Sequence, residues 1–561
     1  MPDYKESIIY QIYPRSFADA DGDGVGDLRG IIGKLDYLAD LGIDILWLSP
    51  IFQSPNADNG YDIADYEAIM PQFGTMADFE ELLVGAHQRG LNLILDLVVN
   101  HSSDEHRWFQ ESRRSKDNPY RDYYIWRKEI NNWQSFFSGP AWKWDEQTGE
   151  YYLHLFAEKQ PDLNWENPRL RQEIYQMMRF WLDKGVDGFR MDVIPFLSKD
   201  PNFPDYPEGR FGDLTIHANG PRIHEFLQEM YREVLAHYTT HDGNRLITIG
   251  EGFGVSADEA NLYVGDNRHE LGMIYHFDHA VPREEYRFID PAPEFTLPQL
   301  KAIFSKWNTA LQTPVSEHGT DSGAGWQNVY FGNHDNPRVL SRFGDPDRFH
   351  YQSATALATV LLTQRGTPGI YQGDEIGMTN CPFTNIDDYD DIQVRNAWQA
   401  LVAPNPSLAD TFLTTANRIA RDHARTPMQW TGDSPDRPGA GFTTGTPWLT
   451  INPNTTAINV AAQQADNQSV LAYYKRLIHL RKQTSALHHG TYRDLLPDHP
   501  TVWAFERVLD KVRFITVVNF SSENVLVPVG VTGNLVLGNY GDEHSELRAW
   551  EARVLVGEYS L

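Results

Sequence analysis

Eight short apolar segments, separated by longer amphipathic stretches, constrain the fold of this chain more than any other feature. The segments are rich in aliphatic and aromatic side chains, as expected of buried strands. The stretches between them, such as Met76–Arg89 and Leu170–Lys184, have helical periodicity. Strand and helix alternating eight times is the pattern of a closed parallel barrel. The eight segments are Ile8–Tyr13, Ile45–Leu48, Leu93–Val98, Gly188–Val193, Leu246–Gly250, Met273–Phe277, Asn328–Phe331 and Gly369–Tyr371.

The predicted fold is therefore α/β, a (β/α)8 TIM barrel with two additions. Residues 102–169, after the third segment, are too many for a connecting helix and are rich in aromatic side chains, Asn and Asp, which predicts an inserted subdomain over the barrel mouth. From about His489 the pattern changes to short strand-like runs with turns, which predicts a C-terminal antiparallel β-sandwich. The predicted parts are the barrel (1–101 and 170–488), the inserted subdomain (102–169) and the C-terminal β domain (489–561).

Composition excludes several classes of partner. Of the 561 residues 41% are hydrophobic, enough for a large core, and the net charge of −29 argues against binding nucleic acid or anionic membranes. No apolar run reaches 18 residues, and the N-terminal segment lacks the pattern of a signal peptide. Cys381 is the single cysteine, which excludes an intrachain disulfide and predicts a reducing, cytoplasmic location. The oligomeric state stays open, a monomer included.

Polar residues gather where the predicted strands end. His101 follows the third segment, Asp192 lies in the fourth, Glu251 follows the fifth, and His334 with Asp335 follows the seventh. Active sites of parallel barrels lie at this carboxyl-terminal edge. We therefore expect these side chains to converge on one site.

The pair Arg190 and Asp192 indicates the chemistry. Two residues apart in a strand, they leave it on the same face, where a cation favours the ionised carboxylate that a sugar-bond nucleophile requires. A structural ion pair has the same local pattern, but the acids at the other strand ends favour an active site. Glu251, near the apolar Ile247, Ile249 and Phe253, is expected to have a raised pKa, as a general acid requires. A separation of about 5 Å between the two carboxyl groups would mean cleavage with retention.

An acidic loop near the N-terminus predicts a cation site. Asp19, Asp21 and Asp23 alternate along the chain, Asp27 follows, and the carbonyl of Val25 lies between them. Several carboxylates around one point favour calcium over magnesium, which keeps more of its water. We expect a structural Ca2+ that fixes this loop.

Nine ordered motifs make the chain resemble the α-amylase superfamily of glycoside hydrolases, and most closely its oligo-1,6-glucosidase and α-glucosidase subfamily. A single such motif is weak, but so many in order are specific. They are DADGDGVGD from Asp19, DNGYD from Asp58, DLVVNH from Asp96, QPDLNWENP from Gln160, GFRMD from Gly188, GE at Gly250–Glu251, GNHDNPR from Gly332, GTPGIYQGDE from Gly366 and RDHARTPMQW from Arg421.

The resemblance implies a role for each matching residue. Asp192 would be the nucleophile, Glu251 the general acid and then base, and Asp335 the third carboxylate, which stabilises the transition state. His101 and His334 would hydrogen-bond the sugar hydroxyls, and Arg190 would orient Asp192. The glucose pocket would be closed by Asp58, Tyr61 and Arg425, with Phe137 and Phe156 as its aromatic wall.

Val193, directly after the nucleophile, bears on the linkage. In the resembled subfamily a Val there accompanies α-1,6 preference, and Ala or Thr accompanies α-1,4 preference. The expected function is therefore an exo-acting retaining α-glucosidase that removes terminal α-1,6-linked glucose from isomalto-oligosaccharides. The alternatives are an α-1,4-glucosidase or a transglucosylating α-glucosidase, and a phosphate-binding trehalose-6-phosphate hydrolase stays open.

Two further rivals fit less well. Sucrose isomerases resemble this chain but carry an Arg-rich loop after the seventh strand, which residues 336–342 lack. Non-catalytic, transporter-associated relatives lose the acids and add a membrane anchor, whereas all three acids are present here and no apolar anchor is found.

Overall fold

A closed parallel barrel forms the centre of the molecule in a computed structural model, which describes residues 3–207, 214–280, 288–291, 293–314, 316–317, 320–432, 439–542 and 544–558. Neighbouring strands follow chain order, and the first strand pairs with both the second and the eighth. A parallel bridge between Ile274 and Gln327 joins the sixth and seventh strands and closes the ring. This confirms the predicted barrel. Its strands are Ile9–Ile12, Ile45–Leu48, Asn92–Leu97, Gly188–Met191, Ile247–Glu251, Met273–Tyr275, Asn328–Val329 and Thr367–Tyr371.

Helices surround the strands, and their ends follow local sequence signals. Thr75 and Asp78 form a reciprocal capping box at the start of Met76–Gln88, and Asn167 caps Pro168–Asp183, whose first residue is proline. The described α-helices are Leu28–Ile32, Leu35–Leu41, Met76–Gln88, Arg107–Ser112, Pro168–Asp183, Leu214–His217, Ile223–Glu233, Ala260–Val264, Leu297–Gln312, Val339–Phe343, His350–Thr363, Ile392–Leu401, Ala409–Ile419, Asp422–Arg425, Val460–Gln464, Val470–Lys482 and Ser485–His489.

Two layers of apolar side chains hold the barrel together. The larger cluster lies between strands and helices, while Ile9, Ile45, Ile94, Ile247 and Met273 belong to a smaller one, all at most 3% exposed. Because side chains alternate along a strand, the inward-facing residues of each strand stack in layers inside the barrel. Residues at the top of this stack face the barrel mouth.

The segment after the third strand forms a small sheet of its own, as expected of the predicted insertion. Its strands Trp126–Arg127, Trp142–Asp145 and Glu150–Leu153 form an antiparallel sheet with Glu150–Leu153 in the middle. Two small antiparallel strand pairs lie elsewhere in the described chain, Phe52–Gln53 with Asp65–Ile69, and Ser316–Glu317 with Thr320–Asp321.

The C-terminal region is antiparallel. A five-stranded sheet and a two-stranded sheet lie there, which agrees with the predicted β-sandwich, while the domain boundaries stay predictions, with residues 1–2 and 559–561 outside the described chain. No described helix combines the length and apolar character needed to cross a bilayer. The strands are Thr491–Asp494, Val502–Leu509, Val512–Asn519, Val525–Leu526, Asn534–Gly538, Glu546–Leu547 and Ala552–Glu558.

Candidate active site

Arg190 is the centre of the site at the barrel mouth. The fourth strand points its side chain into the barrel, where it is completely buried. Its Nη1 donates to Asp192 Oδ1 (2.7 Å) and Asp96 Oδ1 (2.9 Å), and its Nη2 donates to Glu251 Oε2 (2.5 Å) and to the Tyr275 hydroxyl (2.6 Å). One guanidinium thus brings together Asp192 and Glu251, as expected, and adds Asp96 and Tyr275, which the sequence analysis missed.

Glu251 ends the fifth strand, above the inward-facing Ile247 and Ile249. Burial raises its pKa well above the usual value, although Arg190 opposes the shift, so the raised pKa expected from its apolar setting is confirmed. Its Oε2 accepts two N–H groups, from Arg190 and from the backbone of Val193 (2.9 Å). Because Oε2 is occupied by donors, the proton of the neutral acid belongs on Oε1.

Asp335 follows the seventh strand and lies among cations. Its Oδ1 accepts from Arg425 Nη2 (2.8 Å) and Arg421 Nη1 (3.1 Å), and His334 Nε2 lies 3.1 Å from Oδ2. Burial alone would raise the pKa of Asp335, but the charge of His334 in its protonated form and the charges of Arg421 and Arg425 hold it well below its usual range. The pKa values of Glu251 and Asp335 are therefore shifted in opposite directions, as a protonated acid and an ionised carboxylate in one site require.

His334 is neutral in this site. Burial lowers its pKa to about 3, and the Gln11 carboxamide lies 2.8 Å from Nδ1. With the Gln11 amide as donor, the imidazole proton is assigned to Nε2. The ring of Tyr61 stacks on it at 5.3 Å between centroids, so that His334 is fixed in orientation.

A second group of polar residues closes one side of the pocket. Gln160 Nε2 donates to Asp58 Oδ2 (3.1 Å) and lies 3.2 Å from His101 Nε2, while the Tyr61 hydroxyl donates to Asp96 Oδ2 (2.8 Å). Burial raises the pKa of Asp58 to about 7 and lowers that of His101. Asp58 and His101 meet through Gln160, which belongs to a quoted motif but was not predicted.

Three buried polar atoms of the predicted site residues have no hydrogen-bond partner among the described residues. They are Asp58 Oδ1, Arg425 Nη1 and His334 Nε2, whose 3.1 Å approach to Asp335 Oδ2 lacks the geometry of a hydrogen bond. Buried polar atoms are nearly always paired, so a group of unpaired ones indicates a place for a polar ligand. Sugar hydroxyls both donate and accept, and can therefore satisfy all three.

Aromatic and branched side chains form the rest of the wall. Phe156 lies 5.2 Å from the His101 ring, Phe137 lies 5.8 Å from Phe156, and the guanidinium of Arg421 lies 5.2 Å from the Phe137 ring. Val193 is buried and has φ 35°, ψ 45°. This left-handed conformation is an outlier for a β-branched residue, and it coincides with the N–H that reaches Glu251.

The acidic loop has the composition of a cation site. Asp19, Asp21 and Asp27 each offer an oxygen within 4.8 Å of the others. The Asp23 carboxylate, outside that group, accepts the N–H of Val25 (2.8 Å). Three converging carboxylates fit a hard divalent cation.

Known proteins resemble this chain over nearly its whole length. Residues 11–490 match the family described as alpha amylase, catalytic domain. The chain is 49% identical to an oligo-1,6-glucosidase of Parageobacillus thermoglucosidasius, with 98% of each covered, and 48% identical to one of Halalkalibacterium halodurans, with 99% of each covered. The crystal structure of trehalulose synthase from Pseudomonas mesoacidophila MX-45 superposes with a TM-score of 0.91 at 42% identity, covering 99% of this chain and 100% of that one.

Proposed function

The chain belongs to the alpha-amylase family of glycoside hydrolases, and we propose that it is an exo-acting retaining α-glucosidase that releases terminal α-1,6-linked glucose from isomalto-oligosaccharides. The observation that carries this proposal is the sharing of the Arg190 guanidinium by Asp192 and Glu251. Neighbouring nitrogens of one planar group keep the two carboxyl groups close. That supports a retaining mechanism, because an inverting enzyme leaves room for a water between its acids.

The chemistry follows from the environment of each acid. Asp192 attacks the anomeric carbon while Glu251 gives its Oε1 proton to the departing glycosidic oxygen. Asp335, ionised among its cations, stabilises the positive charge that develops at the sugar. A water molecule, deprotonated by Glu251, then hydrolyses the covalent glucosyl–Asp192 intermediate.

The closed end of the pocket supports action on a terminal glucose. Asp58 Oδ1, His334 Nε2 and Arg425 Nη1 offer one acceptor and two donors to its hydroxyl groups. Val193 directly follows Asp192 and donates its N–H to Glu251, so that it lies next to both acids, and it supports the α-1,6 preference together with the names of the two bacterial relatives.

Initial rates on a panel of substrates test this proposal. Isomaltose and panose should be cleaved faster than maltose, sucrose and trehalose-6-phosphate, with glucose released from the non-reducing end as the α-anomer. Asp192→Ala serves as the control for contaminating activity. Equal or higher rates on maltose would contradict the linkage, and release of β-glucose would contradict retention.

Transglucosylation is a second candidate, favoured by the structural similarity to a trehalulose synthase. The same panel distinguishes it, because a transferase converts sucrose into isomers without a matching release of free glucose. Hydrolysis with stoichiometric glucose is the result that our proposal expects.

We also propose that Asp19, Asp21 and Asp27, with Asp23 and the Val25 carbonyl nearby, hold a structural calcium ion. Bound Ca2+ would fix the conformation of the acidic loop by neutralising its carboxylates. Titration of chelator-treated protein with Ca2+ should give about one site and raise the melting temperature, and Asp21→Asn should weaken both effects.

We keep the reducing cytoplasm as the proposed location, since Cys381 is unpaired.

A further inference from the structure

Arg421 links three carboxylates around the glucose pocket, but it binds them unequally. It holds Asp391 with two hydrogen bonds, Nε to Oδ2 (2.9 Å) and Nη2 to Oδ1 (2.5 Å). Its Nη1 donates to Asp335 Oδ1 (3.1 Å), whereas its Nη2 stays 3.6 Å from Asp58 Oδ1. The guanidinium is therefore close to Asp58 without forming a hydrogen bond to it.

Asp391 has no predicted role, yet it is completely buried and fixed in place. It caps the helix Ile392–Leu401 by accepting the N–H of Gln393 (3.0 Å), and its own N–H donates to Asp422 Oδ2 (3.1 Å). A paired fork between a guanidinium and a carboxylate is among the strongest and most directional contacts in proteins. A fixed Asp391 therefore fixes the Arg421 guanidinium.

The position of Arg421 matters because of what Asp58 must do. Asp58 Oδ2 is occupied by Gln160, and Oδ1 has no hydrogen-bond partner among the described residues. If the guanidinium moved a few tenths of an ångström closer, it would bond Oδ1. The acceptor that a glucose hydroxyl needs would then be occupied.

We propose that Asp391 is a positioning residue that restrains Arg421 through the two-bond fork, so that Asp58 Oδ1 stays free for the substrate glucose, while Arg425 holds Asp335 independently of Asp391. This inference rests on the proposed α-glucosidase function but not on the linkage cleaved. Without the fork, Arg421 turns to Asp58 and competes with the substrate. The effect of losing Asp391 is therefore weaker glucose binding rather than slower bond cleavage.

Asp391→Asn tests the restraint without losing the helix cap, because Asn caps as well as Asp. We expect KM for isomaltose and the inhibition constant of glucose to rise together by about 10-fold, the size of one competing charge-assisted hydrogen bond, with kcat changed less than about threefold. A fall in kcat at unchanged KM would overturn the proposal. If Asp391→Asn lowers the melting temperature, Asp391→Ser, which also keeps a capping oxygen, takes its place.

A second background shows whether the effect passes through Asp58. In Asp58→Asn, Arg421 has no carboxylate to turn to on that side, so adding Asp391→Asn should change kcat/KM less than about twofold. The same loss in both backgrounds would mean a general structural role and would overturn the proposal. If the wild type cleaves only α-1,4 bonds, the proposed linkage fails, while the same measurements on maltose still test Asp391.

Discussion

Replacing Arg190 with lysine keeps a positive charge inside the barrel but removes the geometry that joins the acids. Arg190 makes five side-chain hydrogen bonds, two to Tyr275 and one each to Asp96, Asp192 and Glu251. Lysine has three donors on a single nitrogen. An ammonium group placed to bind Asp192 cannot also occupy the position of Nη2 next to Glu251.

The expected loss follows from the bonds that disappear. At least two charge-assisted hydrogen bonds are lost, each contributing about 1.5–3 kcal/mol, for a total of roughly 3–6 kcal/mol. The part that orients Asp192 and Glu251 enters the activation barrier, so kcat should fall about 10²- to 10⁴-fold. Arg190 also lowers the pKa of Glu251, and a more distant cation lowers it less. The alkaline limb of the pH–rate profile should therefore move to higher pH.

Rates on isomaltose and thermal melting, measured together, check this prediction. Arg481→Lys is the matched control. Arg481 is also completely buried, but within the described part of the chain it donates only to backbone carbonyls, those of Leu362, Gln364 and Gly366. The control should lose stability and keep kcat within about threefold. A kcat for Arg190→Lys within threefold of the wild type, or an alkaline limb moved to lower pH, would refute the role given to Arg190.

Three further predictions follow from single contacts. Val193→Thr should shift the ratio of isomaltose to maltose turnover toward maltose by about 10-fold, and an unchanged ratio would contradict the role of this side chain. Glu251→Gln should lower kcat/KM for isomaltose about 10²- to 10⁴-fold, but less for p-nitrophenyl α-glucoside, whose leaving group needs no proton, and the alkaline limb should vanish. Burial lowers the pKa of His276 to about 4, so below pH 6.5 the unfolded chain binds a proton that the folded chain does not. The free energy of unfolding should thus decrease as pH falls from about 6.5 toward 4. In denaturant titrations, the decrease between pH 7 and pH 5 should be about 2 kcal/mol smaller for His276→Gln than for the wild type.

Local sequence rules predicted part of the site and missed the rest for a physical reason. The i, i+2 spacing was enough to place Arg190 and Asp192 on one face, and the barrel pattern placed Glu251 and Asp335 at strand ends. Asp96 lies opposite Arg190 in the register of the third and fourth strands, but register is a property of the pairing and not of either segment.

The residues around Arg421 were harder to find than Asp96. Arg421 lies 86 positions after Asp335, in the segment that follows the last barrel strand. No hydrophobic periodicity in the sequence indicates that its side chain faces the site. Asp391 precedes an amphipathic helix, where an acid is explained by capping alone. Its second role, holding the Arg421 guanidinium, becomes visible only in the folded structure.

The unpaired polar atoms of the pocket lower the stability of the fold and are available to a ligand. Asp58 Oδ1, His334 Nε2 and Arg425 Nη1 are buried without partners among the described residues, and each such atom destabilises a fold by about 1–3 kcal/mol. Arg190, by contrast, donates to the acids and to Tyr275 and holds them in place. The bound glucose then removes a desolvation cost that is already present in the free enzyme, which lets its hydroxyl groups contribute to binding in full.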